Sequence, residues 1–383
     1  MATVTLESGR SEQQDATKAA DEALAQLGAS PARIVFGFIP GERDHRAQHQ
    51  ALRARLPKET RLVTSTMAAG VTNAGYLPNA LVIGALRGDI EVGVGSGTGL
   101  GRDPSRLGAN CVDNAARELG VRPEDMDRSY VGAVIDDGSR MKKEEMLLGA
   151  LEKNQGLVVV GGGASKNEYG QEGLLGVDGE VFADGAMIVL FRTKARWAAL
   201  RHHAFEPIGQ RVRVTKFDAQ TSRILELDGQ PAATRAAALF DIPPAHMEMA
   251  NVPELLKVMF ALKVGREYFL RFAFKEPGSD ALVSVNWLQE GQELELMRRG
   301  NMVEAARKFM EAELPSRVPS ATAALFFDCA ARRVSATVGG VVAEVGAAFG
   351  AAPPCVGGVV HHESYCGFMV SGTLTALVFG AST

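Results

Sequence analysis

The sequence predicts an α/β protein, with a mixed α+β arrangement also open, and three observations carry the prediction. Apolar runs of strand length alternate with amphipathic helical stretches. Turns rich in glycine and aspartate separate them. The same order of elements then recurs along the chain, which predicts internally duplicated strand–helix–strand units forming two related sheet-containing domains. A chain of 383 residues, 46% hydrophobic and 22% charged, is long enough for two such domains.

A partial unit comes first, with a strand at 34–38, a helix at 49–56 and a strand at 62–66. The first long copy opens with strands at 80–86 and 89–95. A helix follows with Leu107, Cys111, Ala115 and Leu119 on one face; Asp103, Pro104 and Ser105 mark its start and Gly120 its end. Next come a strand at 130–135, the turn Asp136 to Ser139, a helix at 142–154, a strand at 157–160 and the run Gly161, Gly162, Gly163. A strand at 185–191 closes the copy. In the second copy, 281–287 and 293–296 stand for the first two strands. A helix at 302–313, a strand at 323–327, a helix at 334–349 and strands at 355–360 and 372–379 complete it. Between the copies, 211–215 and 223–229 alternate like a β-hairpin. Pro207, Ile208 and Gly209 mark the boundary between a domain at 1–207 and another at 208–383.

Forty-one basic and 45 acidic residues leave a net charge of −4, which gives no electrostatic reason for a nucleic-acid partner. The N-terminal residues lack the basic start and apolar core of a secretory signal. No apolar stretch reaches the roughly 18 residues of a membrane span, so no membrane insertion is expected. Cys111, Cys329, Cys355 and Cys366 show no CxxC spacing, and a reducing cytoplasm suits them.

Four segments together resemble the FIST domain family, named for F-box and intracellular signal transduction proteins. They are the amphipathic stretch 15–27 with the strand at 34–38; Val159 to Ser165 with Val181 to Ala186; Pro207 to Gly209 with the segment 214–232; and Cys329 to Arg332 with Pro354 to Gly357. The resemblance covers about residues 6–379. It implies N-terminal and C-terminal FIST domains in a bacterial sensory protein that binds a small ligand, such as an amino acid, and acts with a signalling enzyme. Two segments depart from the family pattern. Thr64 to Gly70 lacks the glutamate expected there, and in Val360 to Glu363 histidine replaces a glycine before the glutamate. Both departures fall where a ligand site is expected.

In open α/β sheets, ligands bind beyond the carboxyl ends of strands. The polar or small residues at those ends are the candidate ligand-binding set: Thr66, Gly162, Ser165, Lys166, Cys329, Arg332, His361 and Glu363. The glycine run admits two readings, a backbone cradle for an anion completed by Ser165 and Lys166, or a tight turn. Cys329 beside Arg332 is the candidate catalytic nucleophile if the cation lowers its pKa and a histidine serves as base; otherwise it is a buried structural thiol. His361 and His362 are candidate haem ligands, since some FIST proteins are haem-based nitric oxide sensors. Adjacent residues of a regular strand point to opposite faces, however, so only one of them should face a given site. The function expected is a stand-alone sensor binding a small ligand and signalling in trans to a histidine kinase or other enzyme. A haem-based sensor, and an enzyme using Cys329 or the His361/Glu363 loop, are the alternatives.

Overall fold

Strands Ile34–Pro40 and Tyr130–Asp137 bury every one of their residues, so layers must cover both faces of their sheets. The computed structural model describes residues 1–382 and meets that requirement with four stacked layers of mixed α/β class. Helices Ala16–Leu24 and His45–Arg53 cover the outer face of a six-stranded sheet, burying Ala19, Ala23 and Leu52 against Val35, Leu62 and Ile83. The inner face of that sheet packs on a second, larger sheet through Phe36, Phe38, Val82, Phe191, Phe327 and Phe379. Helices Pro104–Glu118, Lys143–Lys153, Met302–Lys308 and Ala330–Val338 form the fourth layer on the far side.

The strand order of the larger sheet runs Arg196–His202, Leu374–Gly380, Ala321–Cys329, Cys355–Tyr365, Val159–Ala164, Tyr130–Asp137, Gly185–Arg192, Glu91–Thr98. Its central pair, Cys355–Tyr365 with Val159–Ala164, is antiparallel. Moving outward on either side, the next pairing is parallel and the following two are antiparallel. The two halves of the sheet therefore have the same order and directions. The carboxyl ends of Val159–Ala164 and Ala321–Cys329 converge at the middle of the sheet, where His361 pairs with Gly163.

A third sheet inserts between Arg196–His202 and Met302–Lys308. Its seven-strand path runs Glu267–Arg271, Val258–Val264, Glu293–Arg299, Phe205–Asp218, Arg223–Leu227, Leu282–Ser284, Ala273–Lys275. It has its own core of Val214, Leu227, Phe240, Phe260, Leu282 and Leu294 around helix Ala232–Phe240. The expected hairpin at 211–229 is its central pair.

Two element assignments change. The segments at 281–287 and 293–296 belong to this inserted sheet, and the strand in the place of Glu91–Thr98 is Arg196–His202. A short apolar run carries no mark of which sheet will take it. The helix expected over 334–349 is two helices, Ala330–Val338 and Val342–Ala347. Gly340, at φ +70°, takes the left-handed conformation that ends the first.

Candidate functional site

Where the strand ends converge, the backbone leaves the regular ladder. Between His361 and Glu363 the pairing with Val159–Ala164 shifts register, and His362 sits at φ +61°. This β-bulge puts an extra residue into the strand and cancels its alternation of faces. Both imidazoles therefore turn into one space, with ring centroids 4.4 Å apart. The expectation that only one would face a site fails for this reason. A left-handed φ costs a β-substituted residue energy and is held only where its surroundings enforce it.

The two rings form part of the wall of a cavity of about 280 Å³. Cys329 and Ala331, at the junction of strand Ala321–Cys329 and helix Ala330–Val338, line it from the main sheet. Met249, Met259 and Phe272 line it from the inserted module. The lining is mostly apolar, and the polar atoms are few and placed. His362 Nδ1 lies 3.2 Å from Ser371 Oγ, whose hydroxyl donates to Asn286 Oδ1 at 3.2 Å. That direction requires Nδ1 to carry the proton of His362 and leaves Nε2 as a bare acceptor. His361 Nδ1 donates to the carbonyl of Gly138 at 3.3 Å. Its other nitrogen is covered by Gly170, where an added Cβ would meet Nε2 at 2.7 Å. Burial lowers the pKa of both rings, that of His362 well below the ordinary value, so both are neutral at pH 7.

Behind this wall lies a second, dry group of polar side chains. Glu363 is fully buried; its Oε2 accepts from Thr373 N–H at 3.0 Å and from Thr373 Oγ1 at 2.6 Å. Burial pushes its pKa up to about 8, against the lowering effect of Thr373 and the neighbouring Cys329 thiol. Cys329 Sγ accepts from Gly372 N–H at 3.2 Å, and burial together with Glu363 raises the thiol pKa well above its ordinary value. Arg332 does not activate this sulfur. Its Nε donates to Asp328 at 2.6 Å, and Tyr76 Oη donates to the same carboxylate. The arrangement holds a protonated thiol beside a protonated carboxyl, the opposite of an activated nucleophile.

The remaining expected residues lie outside the cavity. Gly162 is within strand Val159–Ala164, paired between Ile135 and Glu363, and a Cβ there would meet Val360 at 2.5 Å. None of the three glycines has positive φ, so the run is neither a cradle nor a turn: it is a strand crowded by its neighbours. Ser165 N–H donates to the Thr66 carbonyl at 3.0 Å, and Ser165 Oγ donates to the Asn167 carbonyl at 2.6 Å. The Lys166 side chain is exposed.

Thr66 ends a buried relay that its sequence neighbours did not announce. Gly179 N–H donates to His49 Nε2 at 2.8 Å, His49 Nδ1 to Thr64 Oγ1 at 2.8 Å, Thr64 Oγ1 to His45 Nε2 at 2.9 Å, and His45 Nδ1 to Thr66 Oγ1 at 3.0 Å. Burial pushes His45 down to about 3 and His49 to about 4, which keeps the relay neutral. No local motif marks Met249, Met259, Phe272, Asn286 or Ser371, because they join the site only where the insertion packs on the main sheet. The Asp136–Asp137 pair is structural: Asp136 pairs with Lys143, and Asp137 accepts from Ser139 N–H at 3.2 Å.

Among the described residues, no group of three or more His, Cys, Asp or Glu side chains is arranged to hold a metal ion. No helix among them is long and apolar enough to cross a membrane. A haem fits this cavity poorly as it stands. The cavity, about 280 Å³, lies below the roughly 300 Å³ at which drug-sized pockets begin, and of the two candidate ligands only His362, through Nε2, has a nitrogen open to an iron.

Comparison with curated proteins finds no match. Comparison with protein families matches the FIST N domain over residues 33–230, more than half of the chain. That span includes Val159–Ala164, the strand that carries the bulged segment as its partner in the sheet. The chain belongs to the FIST family of sensory domains.

Proposed function

We propose that the chain is a cytoplasmic sensor that binds a small, mostly apolar ligand in the cavity beneath the His361/His362 bulge. One observation carries the reading: a strained bulge turns two neutral imidazoles into an apolar cavity and leaves His362 Nε2 as an acceptor without a partner. A ligand that supplies one O–H or N–H to that nitrogen and buries an apolar body against Met259 and Phe272 suits this lining. His361, His362 and Cys329 of the expected set contact it; Glu363 and Arg332 support the wall from behind, and Thr66, Gly162, Ser165 and Lys166 do not take part.

Because one wall belongs to the main sheet and the other to the insertion, occupancy changes the free energy of their docking. A partner such as a signalling kinase reads that change in trans. The matching strand order of the two halves of the main sheet supports their origin by duplication. Haem sensing and cysteine catalysis are less well supported, the first by the cavity's size and the second by the raised thiol pKa.

The test is a thermal-shift screen of the purified chain against small neutral and charged molecules. Ligand binding to the folded state raises stability by about 2.7 kcal/mol at a hundredfold excess over Kd. Saturable stabilisation by apolar molecules carrying one hydrogen-bond donor, without their turnover, is the expected result. Failure of every class to stabilise the chain, or consumption of the ligand abolished by Cys329→Ala, would overturn it.

A further inference from the structure

A second concave surface, separate from the cavity, contains a charge with no counter-ion. Arg271, on strand Glu267–Arg271, is only 5% exposed. Its hydrogen bonds both leave from Nη1, to the carbonyls of Leu270 at 3.1 Å and Met369 at 3.4 Å, and its Nε has no partner. The neighbouring Arg201 pairs with Glu267 at 3.1 Å, but among the described residues no carboxylate forms an ion pair with Arg271. Glu144 acts on Arg271 only through space, because it accepts instead from the Trp287 N–H at 2.6 Å. A buried guanidinium without an anion is costly, and structures that retain one supply the anion from elsewhere.

Arg271 lines a groove of about 680 Å³ between helix Lys143–Lys153 and the inserted module. The groove's apolar walls include Leu148, Leu262, Trp287 and Phe368. Leu148, Trp287 and Phe368 are 46%, 48% and 54% exposed, unusual for side chains of this size. Glu144 and Glu145 also line it, but Glu145 is paired with Lys142 at 2.9 Å, so Arg271 offers one positive charge, which suits a monocarboxylate better than phosphate or a dicarboxylate. The groove is also tied to the cavity, since Asn286, which holds Ser371, donates to the same Met369 carbonyl that Arg271 uses.

We propose that this groove is a binding site for a small monocarboxylate with an aromatic or aliphatic body, its carboxylate on Arg271 and its body against Trp287 and Phe368. Nη2 of Arg271 makes no hydrogen bond and is the donor left for a carboxylate, and the indole and phenyl faces suit a flat apolar group. The site stands independently of the ligand proposed for the cavity.

The test is titration of the full chain with phenylacetate, followed by calorimetry and by Trp287 emission. In Ala331→Phe, whose filled cavity takes no ligand of its own, saturable binding of phenylacetate with no binding of phenylacetamide or inorganic phosphate is expected. Arg271→Gln should weaken it by at least about tenfold, the loss typical of a buried charge partner. Leu148→Glu, at an exposed helix position, should weaken it similarly, and Ala331→Phe in the cavity should leave it unchanged. Absence of phenylacetate binding, equal binding of the amide, or wild-type affinity in Leu148→Glu would overturn the proposal. The amide comparison and Leu148→Glu decide the matter even if Arg271→Gln does not fold.

Discussion

Glu363 is fully buried, accepts two hydrogen bonds from Thr373 and sits against the Cys329 thiol. Its folded pKa of about 8 lies above the ordinary 4.5. Below about pH 4.5 both folded and unfolded states hold the proton, so the carboxyl costs the fold nothing. As pH rises from there to about 8, the unfolded chain releases the proton while the folded chain keeps it, and stability falls through that window. Glu363→Gln keeps the shape without the titration. Its melting temperature should therefore gain on that of the wild type between pH 5 and pH 8, as measured by calorimetry at matched ionic strength. A difference between the two proteins that stays constant with pH would show that Glu363 is ionised in the fold. The residue types of this site were legible in the sequence, since Cys329 ends a strand and His361 and Glu363 follow the apolar run at 355–360, although the strand continues through them to Tyr365. The shared direction of His361 and His362 was not, because a bulge is set by the partner strand and leaves no local signature.

At the scale of elements, the glycines of strand Glu91–Thr98 show what a pattern of residues can and cannot say. Gly95 and Gly97 resemble part of a nucleotide loop only loosely, and in the structure they lie inside the strand. A Cβ on Gly95 would meet the Cys111 carbonyl oxygen at 1.8 Å, so the glycine admits the backbone of helix Pro104–Glu118 onto the sheet. Leu107, Cys111 and Ala115 of that helix are buried, as their spacing predicts. Gly95→Ala must push the helix away or distort the strand. Overpacking of this kind costs about 1–3 kcal/mol or more, to be read as a lower denaturant midpoint with the m-value unchanged. A midpoint equal to that of the wild type would mean that the helix sits further out. Helix and strand periods were readable here because both elements are regular. Which sheet a short apolar strand joins was not: Leu282–Ser284 and Glu293–Arg299 look like main-sheet strands and belong to the insertion.

At the scale of the whole molecule, four layers give a rigid frame, and the insertion closes over the point where the strand ends meet. The cavity exists only because these two parts touch, which is why its apolar wall had no mark in the sequence. Ala331 lines the cavity from the first turn of helix Ala330–Val338 and is partly exposed, so Ala331→Phe fills the space without removing a packed side chain. The direct measurement is calorimetric titration of wild type and Ala331→Phe with a ligand that stabilises the wild type. Wild type should bind it saturably, one to one, and Ala331→Phe, with its fold and melting transition retained, should not bind it. Equal affinity in the two proteins would contradict this, because the ligand would then lie outside the cavity beneath His361 and His362.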